Sequence, residues 1–312
     1  MTQDIVGVVA AGNLSAGIVH DGRLVSPVRL FPPPEEESEL PVEQQHQSVL
    51  ASMPMEAIAD MIAEMVAGLC IDTGRDPVAL GLGFPGVIRD GVVEDSPNLK
   101  QVKGARIADS VALALAGVGL RIPVQVFNDA SAVAAGLATM RGRTERLTRV
   151  WTLGNGVGFG RYPIVDGIWE GGHTVVSLDP KETFCGCGGK GHLEGIVGNR
   201  AMRLRFLDLE PEEIFERADY GEARCVDFEK LWHRAIAAAS ATSIHLDGPG
   251  RFFLSGPNAR YVKIGLLNQY LHEMVTMSPL QGSVFEVVTS GIEIAIVGSA
   301  VNAARALSES VR

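Results

Sequence analysis

The sequence predicts an α/β protein on three observations. Strand-like and helix-like segments alternate from end to end. No repeat of short fixed period runs through them. At 312 residues the chain is longer than a single core usually supports, so two lobes are expected. Hydrophobic residues make up 46% of it and charged residues 21%, enough apolar surface for packed cores and too little charge for general disorder.

Taken in order, "DIVGVVA" and "SAGIVHDGRLV" read as two strands and the start of a third, with His20-Asp21-Gly22 as a hairpin turn. The prolines and glutamates of "FPPPEEESELPVEQQHQ" bar a regular strand, so residues 32–48 read as a solvated loop, with a substrate lid as the alternative. Pro54 opens a helix in which Ile58, Ile62, Met65, Val66 and Leu69 recur at three and four. "PVALGLGFPG" is a buried strand and "RIADSVALALAG" a helix. In "VQVFNDASAVAAGLATM" a strand runs straight into an Ala-rich helix, with Asn128 and Asp129 at the junction. "RVWTLGNGVGFGRYPIVDGIW" reads as two strands around a glycine turn. A long helical pattern covers Val226 to Leu246. "RFFLSGP" is a short buried strand, and "EIAIVGSAVNAARALSES" a small-residue turn followed by a C-terminal helix. The two halves echo one another: each holds a strand, a glycine turn and a strand, near Gly12 and near Gly156. Such turns serve hairpins, and they can also bring backbone N–H groups up to phosphate.

The formal net charge is −10 and no long Lys/Arg run occurs, which argues against non-specific binding to nucleic acid or to an anionic membrane. The N-terminal apolar run has no basic residue before it, and no stretch reaches the roughly 18 to 20 apolar residues of a membrane span. The expected compartment is the cytoplasm.

The densest chemistry lies between "EGGH" at 170–173 and "FCGCGGKGHLEG" at 184–195. Cys185 and Cys187 flank one glycine, His192 lies five residues on, and His173 lies twelve residues before Cys185. Structural zinc takes four N or S ligands, and glycines between them allow the tight turns that point ligands inward. A redox pair would want two intervening residues and a helix N-terminus, and neither is evident. A surface loop with free thiols is the bland alternative.

"LGLGFPGVIRDGVVEDSPNL", "VFNDASAVAAG", "TLGNGVGFG", "EGGH" and "CGCGGKGHLEG" together resemble the ROK family (repressors, open reading frames and sugar kinases) of the actin/hexokinase superfamily. The resemblance covers nearly the whole chain. It implies a two-lobed actin-like ATPase (ribonuclease H-like) fold with a cleft between the lobes and a small zinc-binding loop. The smaller lobe would be 1–127 plus about 296–312. The larger would be 128–295, with the zinc loop and nucleotide segments. The family's metal pattern, Glu-x-x-His then Cys-x-Cys-x-x-x-x-Cys-x-Glu, matches Glu170, His173, Cys185, Cys187 and Glu194. His192 stands at the third cysteine, which makes the expected site Cys₂His₂, built from His173, Cys185, Cys187 and His192, with a modest loop shift for the longer imidazole.

By the same resemblance Asp129 is the catalytic base, and Asn98, Asn128, Asp129, Glu170, His173 and Glu194 contact sugar hydroxyls. Read alone, Asp129 would be taken for an N-cap, and Asn98 could equally be a turn residue. One His173 nitrogen would face sugar and the other zinc, making the metal a splint for the sugar site. Nucleotide would lie against Gly12 and Asn13 in the first phosphate loop, against Gly154, Asn155, Gly156 and Gly158 in the second, and against Gly256. Gly298 is the small turn residue of the C-terminal segment.

The first phosphate loop departs from the family's Asp-x-Gly-Gly-Thr. Val9 replaces the carboxylate that helps hold Mg²⁺, Ala11 replaces a glycine, and Asn13 the threonine. The expectation is a ROK-type sugar kinase using ATP and Mg²⁺ on a hexose or sugar-like hydroxyl, with a catalytically weak or inactive sugar-binding sensor as the alternative. Its partners are sugar and ATP, with no nucleic acid and no membrane, and a homodimer is implied. The repressor branch is disfavoured because its members begin with a DNA-binding domain, whereas this acidic chain begins in its first strand.

Overall fold

The computed structural model describes residues 3–33, 49–96, 99–144, 146–165, 170–289 and 291–310. Asn98 and most of the Pro/Glu-rich stretch (34–48) therefore lie outside the described residues. The chain forms two compact units. The first comprises Met1–Arg146, Gly160–Ile168 and Gly291–Arg312; the second comprises Leu147–Phe159 and Trp169–Ser290.

The sheet of the first unit is built on β1 (Asp4–Ala10), which pairs antiparallel with β2 (Leu14–His20) and parallel with β5 (Ala79–Phe84). β8 (Val124–Asn128) extends it parallel to β5, while the short β3 (Arg23–Leu24) and β4 (Arg29–Phe31) pair with β2. The hairpin turn falls at Asp21 and Gly22, both with positive φ, as the sequence predicts. The alternation of β1 sends Val6, Val8 and Ala10 into one core with Ile58, Ile62 and Val66 of α1 (Met55–Thr73) and Val111 and Leu115 of α2 (Ile107–Gly117).

The other face of that sheet carries α9 (Ile292–Ser310) and α3 (Asp129–Met140). Gly17, Gly7 and Gly81 form a row across β2, β1 and β5. A Cβ on Gly7 would lie 2.0 Å from the Ile296 carbonyl oxygen, and one on Gly81 2.0 Å from that of Ser299. Helix meets helix in the same way: a Cβ on Gly136 would lie 1.8 Å from the Ile294 oxygen, and one on Gly298 1.7 Å from the Ala132 oxygen. This corrects one sequence expectation: the C-terminal segment is one uninterrupted helix, and Gly298 is a point of backbone contact inside it, not a turn. The compact units divide at 146/147, and 291–295 group with the first, as α3 packs on α9.

In the second unit the order is β10-β9-β11-β12. β9 (Thr148–Leu153) and β12 (Val284–Val287) both run parallel to β11 (Arg251–Ser255), and β10 (Val157–Tyr162) follows β9 after a three-residue turn. The pattern repeats β2-β1-β5-β8 of the first sheet, which gives the sequence echo its structural meaning. Trp232 and Ile236 of α7 (Ala223–Asp247), fully buried, centre the core beside this sheet.

The Gly298 contact is testable. Gly298→Ala must push α9 off α3, so we expect a loss of about 1–3 kcal/mol, typical of overpacking, read as a lower urea midpoint. A midpoint equal to wild type would mean that the two helices do not meet backbone to backbone.

Candidate active site and metal centre

The candidate residues fall into two sets, one in each unit. In the first unit, β8 ends at Asn128, whose side-chain oxygen accepts from the N–H groups of Ala130 (3.0 Å) and Ser131 (3.3 Å). Asn128 is thus the N-cap of α3, and Asp129 is not. The Asn128 amide nitrogen also donates to the Gly86 carbonyl (3.0 Å), fixing the turn after β5. Much of the Asn128 amide is therefore committed to the backbone. Asp129 is half-buried, and its carboxylate accepts from the Ala130 N–H (2.9 Å). Desolvation holds its pKa above the usual carboxylate range, against the lowering effect of that backbone donor.

Between β1 and β2 the turn places Gly12 at φ 96°, with the Ala11 N–H donating to the Asn13 carbonyl (3.1 Å). Val9 is 5% exposed and lies opposite Ser15 and Gly83. An apolar side chain in that place offers nothing to Mg²⁺, so β1 does not fit the family's metal-positioning role.

In the second unit the turn Gly154-Asn155-Gly156 links β9 to β10, and Gly158 lies within β10. The Gly154 carbonyl accepts from the Asn199 N–H (3.0 Å), at the start of α5 (Asn199–Arg205), and from the Asn258 amide (3.3 Å). Asn258 also donates to the Asn199 side chain (2.6 Å). Sequence reading missed this clamp, since Asn199 and Asn258 lie 59 residues apart; a buried asparagine following the Gly256-Pro257 turn was its only signal. Gly256 itself, at φ 89°, passes close to the Leu153 backbone.

Glu194 opens the short α4 (Glu194–Val197) and accepts from the Val157 N–H (3.0 Å). A Cβ on Gly156 would lie 2.6 Å from the same carboxylate oxygen. Gly172 lies against the Val157 carbonyl, so the segment carrying Glu170 and His173 rests on the same residue. The functional groups then run in a continuous line. The second Glu194 oxygen is 3.7 Å from Cys185 Sγ, which is 3.5 Å from His173 Nδ1; His173 Nε2 is 3.9 Å from Glu170. His173 thus turns Nδ1 to the Cys185 thiol and Nε2 to Glu170.

His173, Cys185, Cys187 and His192 bring one ligand atom each within 4.8 Å of one another. Sγ of Cys187 is 3.4 Å from Cys185 Sγ and 3.3 Å from His192 Nδ1. The edges of a tetrahedron with metal–S near 2.3 Å and metal–N near 2.0 Å are about 3.3–3.8 Å, so the four residues fit a structural metal. The Gly189 N–H donates to Cys187 Sγ (3.3 Å), as a donor to a thiolate would. Without a cation, burial and the neighbouring Cys187 and Glu194 push the Cys185 thiol up to about 12, so the site favours a cation that compensates thiolate. Burial lowers the His192 pKa, which keeps its imidazole neutral and able to ligate. The room for this longer ligand comes from Gly189: a Cβ there would lie 2.1 Å from the His192 ring.

Gly189→Ala should therefore displace His192. We expect it to lower metal content or raise the metal dissociation constant at least about tenfold, measured by chelator competition with elemental analysis; tenfold corresponds to only ~1.4 kcal/mol. Unchanged affinity would remove His192 from the ligand set.

Three comparisons bear on this geometry. The sequence model described as "ROK family" matches residues 36–291. A glucokinase of Pyrobaculum calidifontis is 31% identical over 210 residues, covering 62% of this chain and 66% of that protein, just under two thirds of its length. Among solved structures, a ROK hexokinase from Thermus thermophilus superposes with a TM-score of 0.78 at 23% identity, over 98% of this chain and 99% of that one. A ROK family glucokinase from Streptomyces griseus, in complex with glucose and AMPPNP, gives 0.66 at 23% identity, over 97% and 99%. The motifs, the fold and the profile match agree, and the chain belongs to the ROK family.

Proposed function

We propose that the chain is a sugar kinase that transfers a phosphoryl group from ATP to a hydroxyl of a hexose or sugar-like substrate, with Asp129 as general base. The observation that carries this reading is the division of labour at the start of α3. Asn128 caps the helix, so the cap does not depend on the Asp129 carboxylate, and desolvation raises its basicity against its backbone donors. In the proposed step Asp129 accepts the proton of the attacking hydroxyl. The new bond joins the sugar oxygen to the γ-phosphorus, the bond from that phosphorus to the bridging oxygen breaks, and ADP leaves.

Asn98, Asn128, Glu170, His173 and Glu194 are the proposed hydroxyl contacts. Glycines 12, 154, 156, 158 and 256, with Asn13 and Asn155, are the proposed nucleotide contacts, and zinc is the proposed metal on His173, Cys185, Cys187 and His192. The tie from Glu194 to Val157 supports the carboxylate assignment, because it holds that group beside the glycine turn. Mg²⁺ would arrive with ATP and neutralise phosphate charge; β1 contributes no carboxylate to it.

Val9 favours one second reading, a sugar-binding sensor without turnover. A coupled phosphorylation assay over hexoses, amino sugars and cyclitols separates the two: turnover supports the kinase, and tight sugar binding without turnover supports the sensor. In the kinase, Asp129→Asn should abolish turnover while calorimetry shows sugar affinity largely retained, since asparagine keeps the shape but cannot take the proton. Retained turnover would remove Asp129 as base.

Val9→Asp is expected to raise phosphoryl transfer about tenfold or more, a gain of ~1.4 kcal/mol or above, by restoring a group that positions metal. Because position 9 is buried, a thermal melt must first show that the variant folds. A folded variant with no gain would show that the missing carboxylate does not limit the rate.

A further inference from the structure

On the face of α9 that packs against β5, Ser299 is fully buried, and its hydroxyl has no hydrogen-bond partner. Three residues on along the same helix, the amide of Asn302 is 2% exposed and likewise unpartnered. A buried hydroxyl without a partner is destabilising, and an alanine would pack in its place at no such cost.

The bare position on Gly83 locates Ser299. A Cβ there would lie 3.0 Å from Ser299 Oγ, 3.2 Å from the Ala132 side chain and 3.6 Å from the Cα of Asp129. The hydroxyl is therefore no farther from the Asp129 Cα than the sum of the first and last of these, a gap that an aspartate side chain largely spans. Asp129 has the complementary deficit. Only backbone N–H groups, those of Ala130 and of Asp129 itself, donate to its carboxylate; no side chain does. A donor without an acceptor and an acceptor short of a donor thus lie within reach of each other, inside one compact unit.

We propose that Ser299 is a positioning residue for Asp129. Its hydroxyl donates through one bridging water to the Asp129 carboxylate, and holds the base ionised and oriented toward the substrate hydroxyl. This rests on the reading of Asp129 as the base. The hydrogen bond favours the charged form, so it lowers the carboxyl pKa against the desolvation that raises it. No charged side chain of β5, β8 or α9 acts on Asp129 among the described residues; desolvation and backbone donors are the whole of its shift. Ser299 is a side-chain donor without another partner, placed to oppose that desolvation, whereas the Asn128 amide beside it is committed to the backbone.

The test is the pH profile of kcat for wild type, Ser299→Ala and Ser299→Thr, with folding checked by thermal melt. Losing the donor raises the Asp129 pKa, so the acid limb should move up by about one pH unit in Ser299→Ala. Turnover at neutral pH should fall several-fold while KM for sugar barely moves, and the protein should melt no lower than wild type. Threonine keeps the hydroxyl and should restore the profile. An unmoved acid limb in a folded Ser299→Ala protein overturns the proposal. If wild type shows no turnover with any sugar, the kinase reading fails instead. The proposal is then read by carboxyl-carbon NMR titration of Asp129, identified by its loss in Asp129→Asn: a higher pKa in Ser299→Ala supports it, and an equal pKa ends it.

Discussion

Backbone-to-backbone contact around α9 is the constraint on which the first unit depends. Glycines on β1, β5, α3 and α9 meet carbonyl oxygens at distances that no side chain would permit. The result is a helix pair and a sheet held in register by sterics, with little freedom to slide. Asp129 inherits that rigidity. It opens α3 one turn from the Ala132 carbonyl that touches Gly298, and its Cα lies over the bare Gly83. The general base proposed at Asp129 must be held to within a fraction of an ångström, and packed backbone supplies that precision.

The second unit solves the same problem around Val157. Its N–H fixes Glu194, its carbonyl accepts the close approach of Gly172, and it directly follows the glycine turn. The candidate metal cluster draws on both segments that rest on this residue, since His173 comes from one and Cys185, Cys187 and His192 from the other. A metal held there would join segments twelve residues apart and restrain their backbone next to the carboxylates.

Much of this was legible in the sequence because the signals are local. The strand-to-helix junction at Asn128-Asp129, the Asp21-Gly22 turn and the Cys-x-Cys spacing each state their geometry within a few residues. What was not legible is long-range. Gly298 looks like a turn residue in isolation, and only the approach of Ala132 shows that it is a helix contact. The packing of α3 is long-range for the same reason: it follows β8 directly, yet it meets α9 from far along the chain. The Asn199–Asn258 clamp is a tertiary pairing with no local pattern. Choosing between Asn128 and Asp129 as the cap required hydrogen bonds, since both residue types cap well.

Val9 and Asp129 belong to one electrostatic problem. Val9 lies opposite Gly83 in the parallel register, so the two positions share a sheet face, and the vacant Gly83 site adjoins Asp129. A carboxylate at position 9 would place a second negative charge on the face that carries the base. Two carboxylates in a poorly solvated space raise each other's pKa unless a cation stands between them. The family's aspartate is therefore tolerable only together with metal. With valine the repulsion is absent, and Asp129 contends with desolvation alone. In the proposed kinase, valine at this position withholds a metal-positioning group and, by the same stroke, a charge that would oppose ionisation of the proposed base. Under that reading the handling of phosphate charge is weakened while the base is not.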